Sequence, residues 1–261
     1  MIHRMVLAVL VSIWPASSMA LEFSDYRLVD LSHSYSEDTV YWPTSPTTFD
    51  KVELANGKAD GGWFYSSYSV CTPEHGGTHI DAPVHFAEGG VSTEKIPLKD
   101  LLAPAVVIDV SDKAAADRNY RLTAEDILTF ESAQGIIEPG TIVLLRTDWS
   151  RYWPDTLAYL GDDTPGDAAR LRFPGYGEAA TRLLAEERGV AMLGIDSASV
   201  DYGQSHDFIA HRIGAARGVP NLENLTNLDQ LPATGTIVLA LPMKIEGGSG
   251  GPVRVVALVP K

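Results

Sequence analysis

The sequence predicts a single α/β domain built on a mixed sheet. Three observations predict it. Short β-branched runs such as AVVIDV, TIVLLR and VAMLGID are apolar nearly throughout, as strands covered on both faces are. Helical patterns are fewer and are interleaved with these runs. Neither a fixed-period repeat nor a Pro/Gly/Ser linker long enough to divide the chain occurs.

Along the chain, strands are expected over residues 27–31, 66–71, 105–110, 141–146, 190–196, 236–241 and 253–259. A helix is expected after the capping sequence Thr123-Ala-Glu-Asp126, ending before Gly135. A second covers 178–188, rich in Ala, Leu, Glu and Arg, and stops at Gly189. A third covers 208–217, places Ile209, Ile213 and Ala216 on one stripe, and stops at Gly218. Residues 40–58, 59–64 and 150–177 read as elaborate loops. They carry Trp42, Trp63, Phe64, Tyr152, Trp153, Tyr159, Phe173 and Tyr176, which either line a pocket for a flat ligand or pin the loops to the core.

Residues 1–20 have the three parts of a secretory signal peptide. Arg4 is followed by a ten-residue run from Met5 to Trp14, apolar but for Ser12, and Ser18-Met19-Ala20 supplies small residues for cleavage. A spanning helix needs about 20 apolar residues, so the run reads as an address rather than an anchor. The expectation is a mature domain over 21–261, periplasmic or secreted. In the whole chain, 20 Lys and Arg face 34 Asp and Glu, a formal net charge of −14 that repels phosphate backbones and argues against nucleic-acid partners. No later segment is long and apolar enough to act as a membrane anchor. A lone cysteine, Cys71, excludes an internal disulfide framework and any Cys-rich zinc module. Metal binding therefore falls to the seven histidines and the carboxylates.

Three of those histidines and one aspartate fall within eleven residues, His75-Gly-Gly-Thr-His79-Ile-Asp81-Ala-Pro-Val-His85. Ten residues of straight strand would span roughly 33 Å, too far to converge on one ion. The backbone must double over, and Gly76-Gly77 and Pro83 stand where bends are needed. His75, His79 and Asp81 then form a ligand set suited to Zn²⁺, Mn²⁺ or Fe²⁺ rather than Ca²⁺ or Mg²⁺, which prefer all-oxygen shells. Three protein ligands leave room for water, whose pKa falls to about 7 on such an ion and which then supplies hydroxide. His85, beyond the proline, is placed to shuttle protons.

The segment HGGTHIDAPVHF resembles the H-x-G-T-H-x-D-x-P-x-H signature of the metal-dependent cyclase family, which includes bacterial kynurenine formamidases and isatin hydrolases. The likeness extends to Trp42-Pro43, Arg146-Thr-Asp-Trp149, Gly194-Ile-Asp-Ser-Ala-Ser-Val-Asp201, His211 with Glu223, and the segment from Leu241 to Leu258. It implies a swivelling β/β/α fold, often paired into homo-oligomers. It also implies His75, His79 and Asp81 as metal ligands, His85 as the proton donor and acceptor, and Trp42 as a substrate contact. In the formamidase branch a histidine and a glutamate twelve residues later complete a two-metal site, and His211 and Glu223 have that spacing; His206 is the competing candidate, seventeen residues from Glu223. In the isatin hydrolase branch the glutamate position is not acidic and one Mn²⁺ is used. Glu223 points to the first branch, the chain length and the Arg146–Trp149 segment to the second. One or two ions, Mn²⁺ or Zn²⁺, thus stay open.

The implied activity is hydrolysis of a C–N amide bond in a small aromatic molecule such as an arylformamide or a cyclic amide like isatin. Lactone or ester hydrolysis within the same family, and a non-catalytic exported protein that binds metal or an aromatic ligand, are the alternatives. Asp196, Ser199 and Asp201 follow an apolar strand, and one of them is a candidate to orient a ligand imidazole. Gly247-Gly-Ser249-Gly-Gly251 fits the G-x-S-x-G pattern of serine hydrolases, but Pro252 and a strand follow where a nucleophile elbow needs a helix. Cys71, on an apolar strand, reads as a packing residue.

Overall fold

Strands without a polar face must be covered on both sides, and the chain achieves this by closing a sheet and laying helices outside it. The structure is a computed structural model describing residues 22–261; the expected signal peptide, residues 1–20, lies outside the described residues. The strands are β1 (Tyr26–Asp30), β2 (Asp50–Lys58), β3 (Phe64–Cys71), β4 (His79–Asp81), β5 (Leu102–Asp109), β6 (Arg121–Leu122), β7 (Ile142–Arg146), β8 (Gly175–Tyr176), β9 (Met192–Ile195), β10 (Asn221–Glu223), β11 (Thr236–Pro242) and β12 (Gly250–Pro260). Eight of them form one mixed sheet in the order β1-β12-β11-β5-β7-β9-β10-β4. β5, β7, β9 and β10 run parallel, and the remaining pairings are antiparallel. β4 pairs with β10 on one side and with the first residues of β12 on the other, so the sheet closes on itself.

Alternation along the strands sorts the core into two layers. Ile142 and Leu144 of β7 join Ile80, Leu222, Val238 and Val255 inside the closed sheet. Their neighbours Val143 and Leu145 face outward with Leu193 and Ile195 against the helices. The helices are α1 (Leu98–Leu101), α2 (Ser111–Ala116), α3 (Ala124–Gln134), α4 (Thr156–Leu160), α5 (Glu178–Arg182) and α6 (Ile209–Ala216), with α5 continued by a wider π turn through Arg188. α3 begins with the expected capping box, in which the Asp126 backbone N–H donates to Thr123 Oγ1 and the Thr123 backbone N–H donates to the Asp126 carboxylate. Each fully buried Leu or Ile contributes roughly 1.5–3 kcal/mol, so burial on both faces accounts for the unbroken apolar runs.

The expected strands and helices all occur, and three readings are corrected. Residues 40–58 are not one loop, because β2 forms there and pairs with β3 in a hairpin. Its sequence DKVELANGK lacks alternation because neither face of the hairpin packs on the core. Trp63 and Phe64 accordingly neither line a pocket nor pin a loop, and both stand more than 60% exposed. Cys71 ends the same hairpin and is exposed rather than packed. By contrast, Tyr159 and Phe173 do pin residues 150–177, packing with Trp149 in a third apolar cluster. No helix among the described residues is long and apolar enough to cross a membrane.

Candidate metal centre

The histidine-rich segment folds back as its glycines require. Gly77 has φ +60 and Gly76 φ +148, and a Cβ at either would clash with a tyrosine ring, 2.6 Å from Tyr35 or 2.1 Å from Tyr41. Only glycine allows this backbone and this approach. The bend delivers the chain into β4, where Ile80 turns into the core and His79 and Asp81 share the opposite face. On one flank Glu223 of β10 lies in register with His79; on the other, Gly250 of β12 lies opposite Asp81. Pro83–His85 then makes a 3₁₀ turn that brings His85 back over His75, the two rings stacked at 3.9 Å and 20°.

Asp81 is the hub of two donor groups. His75 Nδ1 is 2.6 Å and His79 Nε2 3.2 Å from its Oδ1. His211 Nε2 is 3.0 Å from its Oδ2 and 3.2 Å from Glu223 Oε1. His79 Nε2 also stands 3.6 Å from Glu223 Oε2, linking the two groups. Potential ligand atoms of His75, His79 and Asp81 lie within 4.8 Å of one another, as do those of Asp81, His211 and Glu223. His206, the competing candidate, is exposed in a turn and joins neither group.

Orientation is set by outer partners. The His79 Nδ1–H donates to the Gly77 carbonyl at 3.0 Å, which turns Nε2 toward the carboxylates. His211 Nδ1–H donates to Asp201 at 2.7 Å, and the same carboxylate accepts the backbone N–H groups of Ala210 and His211 at the start of α6. Of the acidic and hydroxyl candidates after β9, Asp201 is thus the one that orients an imidazole. Glu223 accepts the Val200 N–H at 2.8 Å. Asn224, which sequence reasoning passed over, locks the bend by donating from Nδ2 to the Gly77 carbonyl and accepting the Tyr159 hydroxyl.

The electrostatics follow from carboxylates held out of water with imidazoles around them. Burial opposes charging of His79, but its hydrogen bond to Asp81 and the charges of Asp81 and Glu223 prevail and lift it to about 9. His211 is likewise buried, yet its bonds to Asp201, Asp81 and Glu223 push it well above the usual histidine range. Burial would raise Asp81, but hydrogen bonds from His211 and His75 hold it well below the usual carboxylate range. His85 goes the other way: the protein packed around its ring lowers it to about 4, with Asp81 opposing. No Lys or Arg stands among the described residues lining the cavity, so positive charge must come from imidazolium groups or from a bound cation. Nitrogen and oxygen donors in these positions suit a divalent ion, which the protons on His79 and His211 stand in for.

The cluster floors a cavity of about 360 Å³. Its walls are largely apolar, with Trp42, Phe86, Phe208, Val40, Leu160 and Ala198 facing the histidines. Trp42 packs edge-on against Phe173 at 6.2 Å and tilted against Phe208 at 6.3 Å, while Phe86 lies 4.5 Å from His211. A mostly apolar recess with a few convergent polar groups is the usual form of a small-molecule site.

A closed mixed sheet that sets a buried His/Asp/Glu cluster beneath an aromatic cavity defines an α/β protein built to hold a divalent metal against a small organic molecule. The chain belongs to the cyclase family, whose model matches residues 29–202. It is 37% identical to an isatin hydrolase from Roseibium aggregatum over 222 residues, 81% of this chain and 82% of that protein. It is 30% identical to a kynurenine formamidase from Salinibacter ruber over 235 residues, 88% of this chain and 96% of that one. The fold superposes on a crystal structure of an isatin hydrolase bound to the product analogue thioisatinate with a TM-score of 0.83, at 31% identity, covering 91% of this chain and 94% of that chain.

Proposed function

We propose that the protein is a metal-dependent hydrolase of the C–N amide bond in a small aromatic substrate, with cyclic amides of the isatin type as the first class to test and arylformamides as the second. The observation that carries this reading is the position of Asp81: one oxygen serves His75 and His79, the other serves His211, at the floor of an aromatic recess edged by His85. We assign His75, His79 and Asp81 to one ion and Asp81, His211 and Glu223 to a second, with Mn²⁺ and Zn²⁺ as the expected metals. When bound, the metal supplies Lewis-acid polarisation of a carbonyl and an acidified water.

The chain's own groups do the rest. Trp42, Phe86 and Phe208 hold an aromatic ring and exclude water from the cluster. His85, stacked on His75 at the edge of the recess and neutral at pH 7, is placed to carry a proton between water and the leaving nitrogen. The relatives' names support an amide substrate, since an isatin hydrolase and a kynurenine formamidase bracket the chain. Turnover should be measured on isatin, N-formylkynurenine and a simple lactone, with and without added Mn²⁺ or Zn²⁺. Metal-dependent cleavage of either amide supports the proposal; cleavage of the lactone alone replaces it with ester hydrolysis, and inertness toward all three removes the substrate assignment.

Two further parts of the reading have their own tests. The composition of residues 1–20 supports export with cleavage after Ala20, which N-terminal sequencing of periplasmic protein would check. The β2–β3 hairpin supports a homo-oligomer, because an isolated two-stranded hairpin is marginal in water and this one exposes Val52, Leu54, Phe64, Tyr65 and Val70. Light scattering should give a mass at least twice that of one chain; a monomer at micromolar concentration would refute it.

A further inference from the structure

The Gly-Gly-Ser-Gly-Gly turn fails as a nucleophile elbow, yet its serine reaches the site. Ser249 Oγ lies 2.8 Å from His75 Nε2 and 2.6 Å from Glu74 Oε2, and Ser249 N–H donates to the same glutamate oxygen at 2.9 Å. A serine hydroxyl has one proton, and the Glu74 carboxylate can only accept. That proton therefore goes to Glu74, and Ser249 Oγ offers His75 nothing but lone pairs. His75 must then carry its own hydrogen on Nε2 and donate it to Ser249. Its other nitrogen, Nδ1, faces Asp81 Oδ1 at 2.6 Å, a hydrogen-bonded contact whose shared proton a bound ion would replace.

We propose that Glu74 and Ser249 are positioning residues that fix His75 as the Nε2–H tautomer and present Nδ1 as its ligand atom. The inference rests on the metal reading given above. It completes a pattern already visible for the other two imidazoles, where the Gly77 carbonyl and Asp201 each take the Nδ1–H and leave Nε2 as the ligand atom. His75 is the one that ligates through Nδ1, because its Nε2 is turned toward Ser249 beside the start of β12, which pairs with β4, while Nδ1 faces Asp81. The glycines around the serine follow from the same packing. A Cβ on Gly250 would stand 2.5 Å from His75 Cε1 and 2.6 Å from the Ile80 carbonyl oxygen, so only glycine lets the turn close on the ring. The turn is held there by β12–β4 pairing, by Ala82 N–H donating to the Ser249 carbonyl, and by the Thr93 hydroxyl, whose one proton is shared between the Gly248 and Gly250 carbonyls at 3.0 and 3.1 Å.

The test uses the metal-stripped full chain, titrated with Mn²⁺ and with Zn²⁺ by calorimetry, together with ¹⁵N NMR of the histidine rings in the Zn²⁺-loaded form. Outer-partner losses weaken metal affinity by about 10–100-fold. Ser249→Ala should lie in that range and Glu74→Gln, which keeps an acceptor for the serine, should fall between it and wild type. In the wild type, the His75 proton should be found on Nε2. Wild-type binding with unchanged affinity in both variants, or a His75 proton on Nδ1, overturns this inference alone. Failure of the wild type to bind either ion overturns the metal reading beneath it. The ring spectra of wild type decide the tautomer even where Ser249→Ala does not fold.

Discussion

Metal binding at this cluster has to displace protons, and the structure sets how strongly. His79 keeps its proton until about pH 9 against 6.5 for an ordinary histidine, because Asp81 and Glu223 outweigh its burial. At about 1.36 kcal/mol per pH unit, the carboxylates hold that proton by about 3 kcal/mol more than water-exposed histidine would. The sign is that of a raised histidine. Protonated His79 stabilises the metal-free fold in full below pH 6.5, and this contribution is lost as pH rises through about 9. A divalent ion needs the neutral ring, so its apparent affinity should rise about tenfold per pH unit from 6.5 to 8.5, with at least one proton released per ion. Calorimetry with Mn²⁺ in buffers of different ionisation enthalpy measures both quantities. Affinity that is flat above pH 6.5, with no proton released, would refute the reasoning, since free histidines would already have lost their protons there.

Other outcomes follow from single contacts. His85→Ala should keep its full metal content and lose about 10²–10⁴ in turnover on whichever amide proves to be the substrate, measured by steady-state kinetics; retained turnover would exclude it as the proton carrier. Gly77→Ala should cost at least the ~1–2 kcal/mol of a left-handed residue, and more for the Cβ placed 2.6 Å from Tyr35, lowering the melting temperature by several degrees. Trp42→Ala should raise KM for an aromatic amide while leaving metal affinity unchanged, since Trp42 lines the cavity wall and contributes no ligand atom.

The strands that form the core were legible because burial on both faces leaves continuous apolar runs, and the Thr123–Asp126 capping box located α3 within a residue. β2 was not, since an exposed hairpin leaves no periodicity to read. The doubling-back of the histidine segment could be read from the span of its histidines and aspartate together with Gly76-Gly77 and Pro83. What sequence could not supply is the closure of the sheet: β4 and β10 are three residues each, and only their pairing sets Glu223 beside His79. Asp201 stood among three candidates, and its ten-residue distance to His211 gains meaning only once a turn and a helix start bring the two together. Ser249 sits in a legible motif that leads into β12 rather than a helix, and its contact with His75 spans 174 positions of chain, beyond any local pattern.

Metal content per chain, before and after one substitution, bears most directly on the shared aspartate. Full chain reconstituted with excess Mn²⁺ or Zn²⁺ and freed of loose ions should contain two atoms per chain by elemental analysis. Glu223→Gln, which leaves His75, His79 and Asp81 in place, should contain one. A wild-type ratio of one or less, or a ratio that Glu223→Gln does not change, would contradict an Asp81 that joins two ion sites.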